Sequence, residues 1–325
     1  MMEKKGATMH IVFPEGSGCV HGPEDLLPLK AIGPVDFFEK PPQNKGDLIQ
    51  RLKDAEVVFL DYSVMDAEVI KACPRLKFVC FLGIGYANCI DVAAATRHGV
   101  TVSYTPGYGA TSVAEFTLGL ILSLTRHIAS SYYSLKHGEW LSARFLGMDL
   151  RGKTLGIVGL GPIGADVARL GAGVGMNLVG WTRNATPDRA RHGLRLVSLE
   201  EVFSSADVVT IHLSLNAQTE RLISRELLGK LKPSAYFINT ARAKIVDNQA
   251  LAELLQQGRI AGAALDVHED EPAPMNYLFA SLPNVLVTPH IGYNSREAGR
   301  NMLRIAYATL EAFLKGEKLH VVNAH

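Results

Sequence analysis

Short apolar runs alternate with helical patterns along the whole chain. The runs are rich in Val, Ile and Leu and are nearly continuous, instead of alternating with polar residues. Such runs indicate strands of parallel sheets whose two faces are both covered. The runs lie at 10–14, 55–61, 76–82, 100–105, 154–158, 177–181, 207–213, 235–240, 261–267 and 285–290. The pattern predicts an α/β protein with two doubly wound parallel sheets.

Capping signals predict where several helices begin and end. Ser198 opens the stretch SLEE with Glu201 three residues later, which is the pattern of a capping box. Gly258 is placed to end the helix before it, and Ser295 is placed to begin a long helix near the C-terminus. The apolar segment 112–126 predicts a second long, largely buried helix.

A chain of 325 residues exceeds one ordinary core and predicts two domains. We place linkers near 105–109 and 292–295, because the two long helices begin there. One domain is then discontinuous and comprises residues 1–106 and 296–325. The other comprises residues 107–295.

Composition excludes several classes of protein. The 33 Lys and Arg against 32 Asp and Glu lack the basic surplus of a nucleic-acid binder. The longest apolar run, 116–124, is too short to span a bilayer, so we expect no membrane partner. The N-terminal residues show no apolar segment of secretory type, and the four cysteines form no CxxC pair. We expect reduced thiols and a cytoplasmic protein.

The sequence VGLGPIG supplies a glycine motif for phosphate binding. Gly159, Gly161 and Gly164 follow a predicted strand directly, and Pro162 and Ile163 open the next helix. In a βαβ unit of this size, the glycines allow a tight turn and a close approach to a pyrophosphate, which the helix N-terminus attracts. The motif therefore predicts a dinucleotide site, and a purely structural glycine turn is the weaker alternative.

Polar residues cluster at the ends of the predicted strands that follow this motif. An open parallel sheet binds its ligands at the carboxyl ends of its strands. The polar residues at this edge are His212, Thr240, Arg242, Asp266, Glu271 and His290. Among them, the arginine, the two carboxylates and a histidine could take part in a reaction beside the nicotinamide.

Six segments resemble the D-isomer-specific 2-hydroxyacid dehydrogenase family, in the order and approximate spacing of that family. They are GIGYANCID, TPGYGATSVAE, LRGKTLGIVGLGPIG, LKPSAYFINTARAKIVD, AALDVHEDEP and TPHIG. The family includes glyoxylate, hydroxypyruvate and glycerate dehydrogenases. The resemblance implies that residues 107–295 form a Rossmann-type dinucleotide-binding domain and that residues 1–106 and 296–325 form a flavodoxin-like substrate domain. It also implies hydride transfer between NAD(P)H and a small 2-oxo acid.

The resemblance also implies catalytic roles for three residues. Arg242 matches the arginine whose planar fork can hold the substrate carboxylate and polarise its carbonyl group. His290 matches the acid/base histidine, which donates a proton to the C2 oxygen as hydride arrives. Glu271, directly before Pro272, matches its carboxylate partner. A surface ion pair is the bland alternative for Arg242.

Neighbouring residues compete for these roles. His268 occupies a position that is usually aromatic in the family, so we interpret it as a packing residue or a wall of the site. Glu269 and Asp270 do not stand before the proline and so do not match the pattern. Asp266 resembles the structural aspartate of the family. No metal ion is expected, because the residues named so far supply all the groups that the reaction needs.

The segment LGIGYANCID resembles the loop whose N–H groups receive the substrate carboxylate in the family, which nominates Ile84 and Gly85. Tyr86 is expected to shape the pocket. Two departures from the family bear on this site. Ala87 stands where the family often has Asp, and Ala243 stands where it usually has Gly, so the backbone there must accept a Cβ atom.

The segment LVGWTRN bears on the choice of cofactor. An acidic residue at the end of the second strand usually binds the ribose 2′-OH of NAD. Thr182, Arg183 and Asn184 stand there instead, which removes a repulsion toward a 2′-phosphate and adds a cation. We expect NADP to be preferred, and indifference between NADP and NAD is the alternative. The complete set of predicted cofactor-binding residues is Gly159, Gly161, Pro162, Ile163, Gly164, Thr182, Arg183, Asn184, His212, Thr240, Ala241, Asp266 and Gly292.

The resemblance further implies a homodimer built partly on an arm around Trp140, in a segment that is too aromatic for an ordinary linker.

Two other functions stay open from the sequence. One is a formate dehydrogenase of the same fold, disfavoured because that branch pairs its histidine with Gln where this chain has Glu271. The other is a non-catalytic dinucleotide sensor, which the complete set of reacting groups argues against.

Overall fold

Twelve parallel strands carry the fold. The computed structural model describes residues 8–16, 18–274 and 276–323. In this part of the chain the strands are β1 Ile11–Phe13, β2 Val35–Phe37, β3 Val57–Leu60, β4 Phe78–Phe81, β5 Thr101–Tyr104, β6 Thr154–Val158, β7 Asn177–Trp181, β8 Arg195–Leu196, β9 Val208–Ile211, β10 Tyr236–Asn239, β11 Gly262–Leu265 and β12 Val285–Val287.

Helices connect nearly all of these strands. They are α1 Leu27–Lys30, α2 Lys45–Leu52, α3 Ala67–Lys71, α4 Tyr86–Cys89, α5 Val92–Arg97, α6 Ala110–Thr125, α7 Ile128–Lys136, α8 Pro162–Gly173, α9 Leu199–Ser205, α10 Arg225–Leu228, α11 Asn248–Gln256 and α12 Arg296–Leu314. Short 3-10 turns lie at Pro23–Leu26, Ser142–Arg144, Pro187–Arg189 and Ala243–Ile245. Among the described residues, no helix has the length and apolarity needed to cross a membrane.

The chain divides into two compact units. The described residues of Met1–Gly109 and Asn294–His325 form the first unit, and Ala110–Tyr293 forms the second. The first unit contains a five-stranded sheet of order β2-β1-β3-β4-β5, which is the flavodoxin-like order. The second contains a seven-stranded sheet of order β12-β11-β10-β9-β6-β7-β8, which is the Rossmann order extended by one strand. The predicted α/β class with two doubly wound sheets is confirmed.

Most of the predicted apolar runs form strands that are buried on both faces, whereas β12 at the sheet edge is only partly buried. All residues of β3, β4, β9 and β11 are buried, and no alternation of exposed positions interrupts them. In the first unit the rings of Phe13 and Phe59 stack with centroids 4.8 Å apart between the sheet and α12. All ten predicted strands are present, and β2 and β8 are additional.

Capping side chains begin the helices where the sequence predicts. Ser198 accepts a hydrogen bond from the N–H of Glu201 at 3.1 Å, which is one half of the predicted capping box. Ser295 accepts one from the N–H of Ala298 at 3.1 Å at the start of α12. Gly258 follows the end of α11 with a positive φ of 62°, which its missing Cβ permits.

Candidate active site

The turn after β6 is built for a phosphate ligand. Gly161 is the N-cap residue of α8, and Pro162 is its first helical residue. The N–H groups at the start of this twelve-residue helix have no partners within the helix, and the helix dipole adds positive potential. Both properties favour an anion at this end of the helix.

The three glycines of the motif are required for different reasons. Gly159 has a φ of 100°, and a Cβ there would lie 2.4 Å from the carbonyl oxygen of His212. A Cβ on Gly164 would lie 1.9 Å from the carbonyl oxygen of Gly159. Gly161 differs, because its φ of −72° suits any residue and no described atom lies within 4 Å of the Cβ position. Neither the backbone nor the packing demands glycine at 161, so the open space fits the close approach of a dinucleotide pyrophosphate.

The loop after β7 presents polar side chains at the same edge of the sheet. Arg183 and Asn184 are exposed, and Arg183 donates a hydrogen bond to Oε1 of Gln218 in the loop after β9. Arg189 donates to the carbonyl oxygen of Leu160 at 2.6 Å and so ties this loop to the glycine turn. The sequence pattern gave no sign of either contact, since both join residues about thirty positions apart.

His212 stands directly after β9 and beside the glycine turn. Its N–H donates to the carbonyl oxygen of Val158 at 2.7 Å, and its Nε2 lies 2.9 Å from the hydroxyl of Thr210. Burial lowers the pKa of the imidazole to about 3, so the ring is neutral at physiological pH. Within the described residues its Nδ1 is buried without a hydrogen-bond partner. This neutral ring is suited to a wall of the cofactor site and unsuited to proton transfer.

The turn after β10 holds Arg242 at the carboxyl edge. Asn239 fixes this turn, because its Oδ1 accepts from the N–H of Ala241 at 2.9 Å and its Nδ2 donates to the carbonyl oxygen of Arg242 at 3.1 Å. The Arg242 guanidinium donates to the carbonyl oxygen of Ala241 at 2.6 Å. Thr240 is buried, and its hydroxyl lies 3.2 Å from that of Thr117 in α6.

Ala243 is compatible with this turn. It begins a 3-10 turn, is buried, and has a negative φ, so the backbone accepts its Cβ atom. Alanine therefore causes no backbone strain in the turn that follows Arg242.

A buried carboxylate after β11 holds the loop that carries His290. Asp266 is 1% exposed and accepts from the hydroxyl of Thr288 at 2.6 Å, the N–H of Ile291 at 3.0 Å and the N–H of Gly292 at 2.8 Å. Gly292 permits this approach, because a Cβ there would lie 2.9 Å from Oδ2 of Asp266. The described hydrogen bonds of the Asp266 carboxylate thus all hold the loop at 288–292.

His290 and Glu271 form an ion pair at this edge. Nδ1 of His290 lies 2.7 Å from Oε2 of Glu271, and both side chains are partly exposed. Burial raises the pKa of the Glu271 carboxyl, but hydrogen bonds from His290 and from the N–H of His268 lower it by more, so the net pKa lies below its usual value. The carboxylate is therefore ionised across the neutral range and can accept a hydrogen bond from Nδ1 of His290. His290 has a φ of 55°, in the left-handed region.

The neighbours of Glu271 make other contacts. Oε1 of Glu269 accepts a hydrogen bond from Asn248 in α11 at 2.9 Å. The ring of His268 packs edge-on against Tyr277 with centroids 5.2 Å apart, as expected for a packing residue. Glu271 is the carboxylate that the structure brings to His290.

The loop after β4 belongs to the first unit. Ile84 is exposed, Gly85 is the N-cap residue of α4, and Tyr86 packs against Tyr104 with ring centroids 5.2 Å apart. In the part of the chain that the structure describes, the N–H groups of Ile84 and Gly85 have no protein acceptor. They are available to an anionic ligand at the carboxyl edge of this sheet.

A Rossmann-type unit with a phosphate-binding turn and a paired histidine and carboxylate defines a dinucleotide-dependent oxidoreductase. The family model for the NAD-binding domain of D-isomer specific 2-hydroxyacid dehydrogenases matches residues 118–292. A glyoxylate reductase from Thermofilum pendens is 38% identical over 85% of this chain and 83% of its own length. A hydroxypyruvate reductase from Blautia hydrogenotrophica is 30% identical over 97% of this chain and 100% of its own.

A solved structure extends the comparison. An acyclic imino acid reductase in complex with NADPH and D-Arg superposes with a TM-score of 0.85 at 26% identity, covering 97% of this chain and 100% of that one. The chain belongs to the D-isomer-specific 2-hydroxyacid dehydrogenase family. It is therefore an enzyme that transfers a hydride with a nicotinamide dinucleotide, and a non-catalytic sensor or a formate dehydrogenase is not favoured.

The three glycines generate a matched pair of variants. Gly164→Ala should destabilise the second unit by about 1–3 kcal/mol, because the added methyl group overlaps the Gly159 carbonyl group. Gly161→Ala should keep the wild-type melting temperature and weaken cofactor binding, because its methyl group occupies ligand space only. Thermal unfolding and fluorescence titration with NADPH measure the two effects. Equal cofactor affinity of Gly161→Ala and wild type would contradict the assignment of that space.

Proposed function

We propose that this enzyme reduces a small 2-oxo acid of the glyoxylate or hydroxypyruvate type to the D-2-hydroxy acid, with NADPH as the preferred cofactor. The observation that carries the proposal is the Glu271–His290 pair at 2.7 Å, at the carboxyl edge of the sheet that also carries Arg242. The named activities of the relatives in Thermofilum pendens and Blautia hydrogenotrophica support this substrate class.

His290 and Glu271 are the proposed proton-transfer pair. A bound nicotinamide dinucleotide supplies the hydride. Glu271 engages Nδ1 of His290, which leaves Nε2 to hold the proton that passes to the C2 oxygen of the substrate. The ionised carboxylate stabilises the imidazolium before transfer and fixes the orientation of the ring. In the reverse direction, Nε2 takes the same proton from the hydroxy acid.

Arg242 is the proposed substrate-binding cation. Its guanidinium has five N–H donors, of which one goes to the carbonyl oxygen of Ala241. The remaining donors suit a carboxylate, which a planar fork binds in two-point fashion, and the positive charge also polarises the adjacent carbonyl group. The unit of Met1–Gly109 and Asn294–His325 is the proposed substrate domain, with the N–H groups of Ile84 and Gly85 receiving the carboxylate and Tyr86 lining the site.

Arg242→Ala and His290→Ala test this mechanism. His290→Ala should lower kcat for reduction by ~100- to 10,000-fold, the usual contribution of a general acid. Arg242→Ala should lower kcat/KM for the oxo acid, and both variants should bind NADPH with wild-type affinity. A panel of glyoxylate, hydroxypyruvate, pyruvate and phosphohydroxypyruvate, followed by loss of NADPH absorbance, also identifies the substrate. Arg259→Ala at an exposed position is the matched control.

The mechanism fails if both variants retain turnover on the substrate that the wild type prefers. If the wild type reduces no member of the panel while binding NADPH, the substrate class is wrong and the family's hydride transfer acts on another carbonyl compound.

NADPH is proposed as the preferred cofactor because no carboxylate stands directly after β7, at positions 182–184. Thr182 stands in the place of the acid that would repel a 2′-phosphate, and Arg183 and Asn184 offer a cation and an amide donor. The other cofactor contacts are proposed at the residues described above, including the glycine turn, His212, Thr240, Ala241, Asp266 and Gly292. The NADPH complex of the imino acid reductase supports this preference.

Arg183→Ala tests the preference. It should raise KM for NADPH about tenfold or more, the equivalent of one lost charge-assisted hydrogen bond, and leave KM for NADH nearly unchanged. Arg195→Ala, which removes a cation at the opposite edge of the sheet, should change neither constant. Equal changes in KM for NADPH and NADH in Arg183→Ala would reject the phosphate-binding role.

A homodimer and a cytoplasmic location complete the proposal. Large apolar side chains are exposed on α7 and the segment after it, with Trp140 80% and Leu146 88% exposed. Such a surface favours a protein partner, and a molecular mass of two chains in light scattering would support a dimer. Cys73 and Cys80 are buried free thiols, as expected for a reducing compartment.

A further inference from the structure

His268 contacts Glu271 and the backbone segment that carries His290. Its backbone N–H donates to Oε1 of Glu271 at 3.0 Å, while Oε2 of that carboxylate faces His290. Its ring Nε2 lies 2.9 Å from the carbonyl oxygen of Thr288. The same carbonyl oxygen accepts the N–H of His290 at 3.0 Å. One residue therefore links the carboxylate to the backbone that carries the histidine.

The acceptor of the ring bond determines which nitrogen of His268 carries a proton. A carbonyl oxygen only accepts hydrogen bonds, so Nε2 of His268 is the donor. Its Nδ1 is buried and, within the described residues, has no hydrogen-bond partner. A proton on Nδ1 would be a buried donor without an acceptor, which is unfavourable. The ring is thus the Nε2–H tautomer, and its single N–H group donates to the carbonyl oxygen of Thr288.

The conformation of His290 explains why this bond matters. His290 has a left-handed backbone with a φ of 55°, which an L-residue adopts only when its surroundings enforce it. Asp266 holds the C-terminal side of this turn through Ile291 and Gly292. On the N-terminal side, the Thr288 carbonyl group is held by the His268 ring. The three hydrogen bonds together fix the direction in which the His290 side chain leaves the backbone.

We propose that His268 is a positioning residue for hydride transfer, whose Nε2–H clamps the Thr288 carbonyl group and so aligns His290 with Glu271. A purely aromatic residue fills the same space against Tyr277 but lacks the donor. The clamp acts on the histidine through the backbone, so its loss changes the chemical step and leaves the cofactor site intact.

Two substitutions at 268 separate the donor from the ring. His268→Phe keeps an aromatic ring and removes the donor, and should lower kcat by about tenfold through misplacement of His290, with KM for the cofactor unchanged. His268→Gln places an amide N–H near the position of Nε2 and should recover most of kcat. Tyr277→Phe is the matched control in the same ring contact; its hydroxyl has no partner among the described residues, so kcat should stay at the wild-type value.

Hydrogen–deuterium exchange gives a readout that does not depend on the substrate. In His268→Phe, peptides covering 288–292 should take up deuterium faster than in the wild type, and His268→Gln should restore their protection. Wild-type kcat and wild-type exchange in His268→Phe would overturn the proposal, as would a His268→Gln variant as impaired as His268→Phe. Because exchange needs no turnover, the clamp is tested even if the proposed substrate class is wrong.

Discussion

The hydrogen bonds that the Asp266 carboxylate accepts are the constraint on which the active site depends. This carboxylate lies at the end of β11, almost fully buried, where an unpaired charge would cost several kcal/mol. It is satisfied only by drawing the loop after β12 inward, so that Thr288, Ile291 and Gly292 meet it. His290 lies between those contacts and takes the left-handed conformation that the loop imposes. The position of the proposed acid/base group therefore follows from the folding of this loop.

Parallel topology explains how residues far apart in sequence come to share one site. The strands of the second sheet all end at the same edge, so the turns after β6, β9, β10, β11 and β12 lie side by side. The glycine turn, His212, Arg242, Asp266 and His290 each follow one of these strands. The chemistry of the residues then divides the edge. Buried, neutral groups such as His212 suit the cofactor, while the ionised Glu271 and its imidazole partner suit proton transfer.

Most strands could be predicted from the sequence, because a strand that is buried on both faces requires a continuous apolar run. The two strands that the pattern missed are short and lie at sheet edges: β2 is partly exposed, and β8 has only two residues. Neither needs a continuous apolar run, so neither has one. The helix starts at Ser198 and Ser295 could be predicted because an N-cap hydrogen bond joins residues only three positions apart.

The residues of the candidate site could be predicted where their type and their position at the end of a strand were sufficient evidence. Bonds between distant segments were not, because nothing local requires them. The Arg183–Gln218 contact and the bond from the His268 ring to Thr288 belong to this group. The three consecutive acids at 269–271 illustrate the limit: the family resemblance assigns Glu271 to His290, but only the fold shows that Glu269 contacts Asn248.

The most direct measurement of the central claim is kcat for 2-oxo acid reduction in the wild type and in Glu271→Gln, with NADPH affinity measured in parallel. The amide keeps the size of the side chain but removes the carboxylate that pairs with Nδ1 of His290. The account predicts that Glu271→Gln lowers kcat by about tenfold or more and leaves NADPH affinity unchanged, because proton transfer by the histidine is impaired. A wild-type kcat would contradict it, because it would mean that the Glu271 carboxylate does not act on the proton of His290.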